Sequence, residues 1–119
     1  MVEVVEICAG KKFIICMMVS RGMPLFKDFV DRLEDSEKKK VLALIERTAE
    51  VGPPANEEKF KKVEGEEFFE FKTRQARILC VFEKGRKIIL LNCFIKKQRR
   101  TPKAEIEKAR DLLSLYSKR

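Results

Sequence analysis

The spacing of apolar residues changes twice along this chain, and these changes constrain its fold more than any other feature. Between residues 25 and 51 apolar side chains recur at helical spacing, whereas from residue 69 to residue 74 they alternate with charged ones. Such alternation is typical of a strand with one buried and one polar face. Helical spacing returns over residues 102–116. The pattern predicts helices, then strands, then a final helix.

Further elements are expected before the strands. Residues 13–19 predict a strand, and residues 2–7 an additional N-terminal strand. Pro24 suits the first turn of a helix, and a second helix is expected over residues 37–51, with residues 35–36 as its break and cap. Two short amphipathic helices in tandem indicate a helical hairpin.

Three consecutive strands are expected in the second half of the chain. After the alternating segment, residues 77–83 and 88–95 are almost uniformly apolar, which is typical of inner strands covered on both faces. Short turns between the three segments indicate an antiparallel meander. Thr101 is expected as the N-cap of the last helix. The sequence predicts an α+β fold with a mainly antiparallel sheet, a helical hairpin on one face and a C-terminal helix.

Composition limits the class of protein. With 119 residues, 45% of them hydrophobic, the chain predicts a single domain spanning residues 1–119. The apolar run at residues 13–19 is far shorter than the roughly 20 residues that span a bilayer, and the first ten residues lack the basic start of a secretory signal. A cytoplasmic protein without membrane contact, its cysteines reduced, is therefore expected.

The residue types also exclude several kinds of catalytic site. The four cysteines have no paired CxxC spacing and the chain contains no histidine, so no metal site is predicted. The absence of histidine excludes Ser-His and Cys-His catalysis, together with the commonest general base at neutral pH.

Positive charge is concentrated in one part of the chain. The formal net charge is +8, yet residues 72–103 contain eleven basic residues and one acid, so the remainder is slightly acidic. Clustering of this kind favours a nucleic acid or an acidic protein as partner, although a solvated charged face on an ordinary domain is the alternative.

Several of these charges are expected to meet on one face of the sheet. Glu70, Lys72 and Arg74 alternate along the first meander strand, and Arg77 begins the next strand across a short turn. The basic pair at residues 96–97 joins them if the last helix folds back over this face. Lys72 and Arg74 fit the solvated side of an edge strand equally well.

An ordered set of motifs indicates a known family. It consists of Gly22 and Pro24 before Phe29 and Leu33, Lys62 ahead of Phe69-Glu70-Phe71-Lys72, Arg77-Ile78, Phe94-Ile95-Lys96-Lys97, Thr101-Pro102, Glu105-Ile106 and Ala109. Over residues 13–116 this succession resembles the phage-derived HigB-like toxins of the RelE/ParE toxin superfamily. The resemblance implies a RelE-like fold, with residues 1–10 as an extension beyond the usual start.

The resemblance also implies a function. Members of the family that the chain resembles are toxins of type II toxin-antitoxin pairs. They are usually endoribonucleases that cleave mRNA on the translating ribosome and so inhibit translation. A HigA-like helix-turn-helix antitoxin is the implied protein partner. No metal or other cofactor is implied, because a ribose 2′-hydroxyl attacks the adjacent phosphate while basic side chains stabilise the developing charge.

Carried over by position, the resemblance assigns roles to particular residues. Arg77 is implied as the main phosphate-binding arginine and Lys97 as a phosphate clamp or leaving-group stabiliser. Lys72 or Glu70 is implied in proton removal. The remaining RNA-binding candidates are Lys62, Arg74, Lys96, Arg99 and Arg100. For Lys62 a structural salt bridge is the alternative, and Arg99 and Arg100 are expected to be peripheral to a site completed by residues 96–97.

The chain departs from the family at one point, and two other functions stay open. The tyrosine that some RelE-type toxins place near the start of the last helix is absent, and the single tyrosine, Tyr116, lies on the apolar stripe of that helix. The identity of the general acid and base is therefore open. The alternatives are a ParE-like toxin that inhibits gyrase and a phage accessory protein that binds nucleic acid without cutting it.

Overall fold

A computed structural model describes residues 1–118, in which three helices pack around a seven-stranded, mostly antiparallel sheet. The strands are β1 (Val2–Ala9), β2 (Ile14–Ser20), β3 (Met23–Pro24), β4 (Phe60–Lys62), β5 (Phe69–Lys72), β6 (Ala76–Glu83) and β7 (Lys87–Ile95). The helices are α1 (Leu25–Asp31), α2 (Asp35–Val51) and α3 (Lys103–Ser117). The predicted α+β fold is confirmed. Within residues 1–118, none of the helices is long and apolar enough to cross a bilayer.

The sheet order is β1-β2-β7-β6-β5-β4, with the short β3 paired to β2. Strands β5, β6 and β7 form the predicted antiparallel meander, and β2 joins β7 in parallel, with Cys16 opposite Ile89. The three-residue β4, which the sequence pattern did not predict, pairs with β5 and forms one edge of the sheet.

The two faces of the sheet are covered by different helices. On one face α1 and α2 pack over a cluster that includes Ile45, Ile78 and Leu90. On the other face α3 packs over a second cluster that includes Leu79 and Leu112. Consecutive residues of β6 thus enter opposite clusters, which confirms the prediction of inner strands buried on both sides.

Both predicted helix caps are wrong. Helix α2 begins at Asp35, with Glu34 at its N-cap position and no side-chain cap. Helix α3 begins at Lys103 because Pro102 takes the extended N-cap conformation, with φ −59° and ψ 139°. Thr101 is therefore outside the helix, and its hydroxyl donates a hydrogen bond to the Oε2 atom of Glu70 instead.

The N-terminal residues are part of the sheet. Strand β1 pairs with β2 over its whole length, with a bulge between Glu6 and Cys8. Gly10 then passes so close to α2 that a Cβ atom would lie 2.5 Å from the carbonyl carbon and oxygen of Ala49. That same oxygen accepts hydrogen bonds from the backbone N–H groups of Lys12 and Phe13. Residues 1–10 thus contribute an edge strand and a tight contact with α2.

Candidate functional site

A groove of about 660 Å³ lies on the α3 side of the sheet. The β4–β5 hairpin and the 96–102 connection between β7 and α3 contribute to its walls. Its charged lining consists of six basic residues, Lys61, Lys62, Lys72, Arg99, Arg100 and Lys103, and two acidic ones, Glu64 and Glu70. None of the six basic side chains forms an ion pair with a carboxylate of residues 1–118. We call this feature the basic groove.

Glu70 is the buried carboxylate of the basic groove. Glu70 is only 6% exposed and lies on β5 opposite Lys61 of β4. The hydroxyl of Thr101 donates a hydrogen bond to Oε2 at 2.9 Å, and the Nε atom of Arg77 is 3.9 Å from Oε1. Because a buried charge is costly without partners, these contacts fix the carboxylate in one orientation.

Arg77 lies beside Glu70 but is not part of the groove lining. It is opposite Lys72 in the β5–β6 pairing, and its side chain is 11% exposed. Its Nη1 atom donates to the backbone oxygens of Thr73 at 2.7 Å and Ala76 at 2.9 Å. Nη2 is thus the guanidinium nitrogen without a partner in residues 1–118. A bidentate grip on a phosphate would require Arg77 to release one of these contacts.

Two other predicted residues lie in the basic groove with Glu70. Lys72 is half-buried at the end of β5, where its Nζ atom donates to the backbone oxygen of Glu57 at 3.3 Å. Lys62 is exposed at the end of β4. Alternation along β5 thus identified Glu70 and Lys72, and the family resemblance identified Lys62.

Arg74 does not share the face of Glu70 and Lys72, so that expectation is wrong. Strand β5 ends at Lys72, and the alternation of faces ends with it. Arg74 lies in the turn at residues 73–76 and lines a separate cavity of about 230 Å³, together with Glu37 and Lys40 of α2.

Along the β7–α3 connection, the residues that line the groove are those that were expected to be peripheral. Lys96 and Lys97 are exposed and do not line the basic groove, whereas Arg99 and Arg100 do. The backbone N–H of Lys96 still donates to Gln75, at 2.7 Å, so the chain continues alongside β6 before it turns back. The bond from Thr101 to Glu70 then brings the later part of the connection over β5.

Side-chain hydrogen bonds connect α3 to β7 and to the β4–β5 loop, next to the basic groove. The amide nitrogen of Asn92 on β7 donates to the backbone oxygen and to Oε1 of Glu105, both at 3.0 Å, which fixes the first turn of α3. Arg110 of α3 makes two hydrogen bonds to Glu66 in the β4–β5 loop, one of them from Nε to Oε1 at 2.9 Å. These bonds lower the pKa of Glu66 and raise that of Arg110.

Two basic residues of the groove, Lys61 and Lys103, were not among the predicted site residues. Lys61 is on β4, which at three residues is too short to show an alternating pattern. The glycine at position 65 was the available sequence signal for a hairpin before β5. In the structure it forms a turn with a φ of +78°, which glycine adopts readily. Lys103 was visible only as part of the basic segment.

Tyr116 is confirmed as part of the apolar stripe of α3. It packs against the second cluster, and its hydroxyl donates to the carboxylate of Glu83.

Comparison with known proteins identifies the family. A family model described as "Phage derived protein Gp49-like (DUF891)" matches residues 28–114. The matched segment extends from α1 into α3 and contains every charged residue of the basic groove. A search of curated proteins gives no match. Since the match covers well over half of the sequence, the chain belongs to the phage-derived Gp49-like family, a family of RelE/HigB-like toxins.

Proposed function

We propose that this chain is the HigB-like toxin of a type II toxin-antitoxin pair, a ribosome-dependent mRNA endoribonuclease that inhibits translation in the cytoplasm. Family membership supports the toxin role. The observation that carries the nuclease assignment is the basic groove, in which six basic side chains without carboxylate partners line the same groove as the buried carboxylate of Glu70.

The charge of the groove suits an RNA backbone. Its lining has six basic residues against two acidic ones, drawn from three separate segments of the chain. Like charges held together without partners repel one another, so such a cluster is costly for the fold unless an anion binds there. Successive phosphates of a single strand are a fitting ligand, and their binding releases counterions.

Glu70 and Lys72 supply the groups for proton transfer. The carboxylate of Glu70 accepts the proton of a ribose 2′-hydroxyl, whose oxygen attacks the adjacent phosphorus. The new O2′–P bond forms as the P–O5′ bond breaks, and the 5′ oxygen takes up a proton from the ammonium group of Lys72. Arg99 and Arg100 bind the phosphate oxygens and stabilise the charge that develops on them. The reaction needs no metal or cofactor.

The antitoxin and the ribosome are the proposed partners. A HigA-like helix-turn-helix protein neutralises the toxin, and the ribosome presents the mRNA in the conformation that is cut. Because binding energy from remote contacts can be used to orient the reacting groups, the ribosome supplies positioning that the small toxin lacks.

Expression followed by mapping of mRNA ends tests this function. The chain is induced with and without the adjacent small reading frame, and the purified protein is assayed on mRNA with and without ribosomes. We expect growth arrest, codon-phased cleavage that requires ribosomes, and relief by the antitoxin. Arrest with intact messages and DNA damage would instead indicate a gyrase inhibitor. Salt-sensitive RNA binding without cleavage or arrest would indicate an accessory protein.

A matched pair of variants tests the location of the site. Arg100→Ala removes a cation of the basic groove, whereas Lys97→Ala removes an equally exposed cation outside it. We expect Arg100→Ala to slow cleavage about tenfold, the usual effect of losing a hydrogen bond to a charged group. Lys97→Ala is expected to stay within about twofold of the wild type, since it removes no groove contact. The reverse order would refute the assignment to this groove.

A further inference from the structure

Glu37 of α2 is a buried carboxylate that none of the steps above uses. The residue is 9% exposed and belongs to the side of the sheet opposite the basic groove. Its Oε1 atom accepts a hydrogen bond from the hydroxyl of Thr73, and two longer ones from the backbone N–H groups of Gln75 at 3.2 Å and Ala76 at 3.4 Å. One carboxylate oxygen thus accepts from three residues of the turn at 73–76 between β5 and β6, in addition to the hydrogen bonds within the turn.

The same turn faces the functional site through its carbonyl groups. The oxygens of Thr73 and Ala76 accept the two hydrogen bonds from Nη1 of Arg77, and the oxygen of Gln75 accepts the bond from the backbone N–H of Lys96. Three donors of the turn therefore bond to Glu37, and three of its backbone oxygens accept from the two basic residues Arg77 and Lys96. The turn therefore connects α2, through hydrogen bonds, to Arg77 and Lys96.

Electrostatics agree with this arrangement. Burial raises the pKa of the Glu37 carboxyl, but the hydrogen bonds from Thr73, Gln75 and Ala76 outweigh burial, so the pKa is lowered. The carboxylate is bound more strongly than the acid by the donors of the turn. Arg77 in turn contacts Oε1 of Glu70, so the link extends from α2 to the groove.

We propose that Glu37 is a positioning residue, which through the turn at residues 73–76 fixes the guanidinium of Arg77 and the backbone at Lys96 beside the basic groove. The expected effect of Glu37 on RNA cleavage rests on the proposed function. Its effect on the placement of Arg77 does not. Removal of Glu37 takes away the acceptor of the Thr73 hydroxyl and of the Gln75 N–H, and leaves the Ala76 N–H with the hydroxyl oxygen of Thr73 alone, so the turn relaxes toward water. The two carbonyl groups that hold Arg77 move with it.

The side-chain Nε–Hε resonance of Arg77 reports this placement directly. It is assigned with Arg77→Lys and recorded in the full-length protein for the wild type, Glu37→Ala and Glu37→Gln. We expect Glu37→Ala to shift or broaden the resonance and Glu37→Gln, which keeps an oxygen at the same reach, to restore it. Glu50→Ala removes an exposed carboxylate of the same helix and is expected to leave the resonance unchanged. Thr73→Val removes one of the three donors to Glu37, together with the hydroxyl oxygen that accepts from the backbone N–H of Ala76 at 3.2 Å, and leaves the other two donors to Glu37 in place. It should give a smaller shift in the same direction, and it tests the proposal even if Glu37→Ala does not fold.

Cleavage in the same variants links placement to the reaction. We expect Glu37→Ala to cut at least tenfold more slowly than Glu37→Gln, since a displacement of about 1 Å can cost on the order of 100-fold. An unmoved Arg77 resonance in folded Glu37→Ala and Thr73→Val would overturn the proposal. Equal shifts in Glu37→Ala and Glu37→Gln would overturn it too. If the wild type does not cleave RNA, the proposed function fails, and the resonance still decides the role of Glu37.

Discussion

The two faces of the sheet each bear a groove, and the two grooves differ in charge more than in size. The one between β1 and α2, which we call the α2 groove, measures about 900 Å³ against about 660 Å³ for the basic groove. Its charged lining is balanced, with Lys27, Lys38 and Arg47 against Asp31, Glu46 and Glu50. The larger groove is thus electrically neutral, and the smaller one carries the excess of positive charge. Charge, not volume, distinguishes the proposed site.

The difference comes from how each lining is built. Charges of the α2 groove lie on the helices α1 and α2, where residues four apart can pair. One such pair forms: Nζ of Lys27 is 2.8 Å from Oδ2 of Asp31, and this hydrogen bond lowers the pKa of Asp31. Cations of the basic groove come from a hairpin, a strand end and a connection, where no such local pairing occurs among residues 1–118. The α2 groove is neutral because it has equal numbers of acidic and basic residues, one pair of them bonded, whereas the basic groove has an excess of unpaired cations.

The largest effect is expected from the buried carboxylate of the basic groove. Glu70→Gln keeps the shape of the side chain and removes the proton acceptor, so single-turnover RNA cleavage on ribosomes should fall by about 100-fold or more. Glu64→Gln is the matched control, because it removes an exposed carboxylate from the same groove and should cleave nearly as the wild type does. Unchanged cleavage by Glu70→Gln would remove Glu70 from the reaction.

A core substitution beneath the α2 groove should separate stability from RNA binding. Ile45→Ala truncates a side chain that is 2% exposed, and we expect it to lower the free energy of unfolding by about 2–5 kcal/mol in urea titrations. Its affinity for single-stranded RNA should stay within about twofold of the wild type wherever both proteins are folded. A large loss of RNA affinity in folded Ile45→Ala would show that the two grooves are not independent.

A smaller effect is expected where the N-terminal segment meets α2. Gly10→Ala places a Cβ atom against the backbone of Ala49 and should cost about 1–3 kcal/mol of stability, since the backbone has to shift. Gly65→Ala, at a φ of +78° but with open space around it, should cost about 1 kcal/mol from backbone strain alone. Thermal or urea unfolding measures both. Equal stability of Gly10→Ala and the wild type would refute the tight contact.

The smallest expected effect is the pH dependence that comes from Glu37. Its pKa in the folded protein is lowered from the ordinary value of 4.5, so the carboxylate stabilises the fold above that pH. The contribution is lost as the pH falls through the folded pKa. In urea titrations the stability difference between wild type and Glu37→Gln should therefore be largest near neutral pH and shrink in acid. A difference that grows in acid would contradict the hydrogen bonding of Glu37.

Sequence patterns predicted the elements that depend on local signals. Apolar runs on either side of Gly85 identified β6 and β7, and helical spacing identified α1, α2 and α3. The segment 2–7 was predicted as an additional strand, and β1 covers it. These features follow from periodicity, which each segment carries by itself.

Which residues line the basic groove could be predicted only in part, because the lining depends on contacts between distant residues that periodicity does not encode. Glu70 and Lys72 were identified because alternate residues of one strand share a face, and Lys62 was identified from the family resemblance. Arg74 was misplaced because β5 ends two residues earlier, at Lys72. Arg99 and Arg100 line the groove in a connection whose end is bonded to β5 through Thr101 and Glu70. That contact joins residues 31 positions apart, and local helix-capping rules had assigned the Thr101 hydroxyl to α3 instead.

The salt dependence of RNA binding tests the central claim, that the basic groove and not the α2 groove binds the RNA backbone. Two triple variants lose the same charge: Lys61→Ala, Arg99→Ala, Arg100→Ala in the basic groove, and Lys27→Ala, Lys38→Ala, Arg47→Ala in the α2 groove. For a short single-stranded RNA, the slope of log K against log salt should weaken by about 2 in the first variant, at roughly 0.7 per lost phosphate contact, and stay unchanged in the second. Equal changes in both variants, or a larger change in the second, would contradict the account.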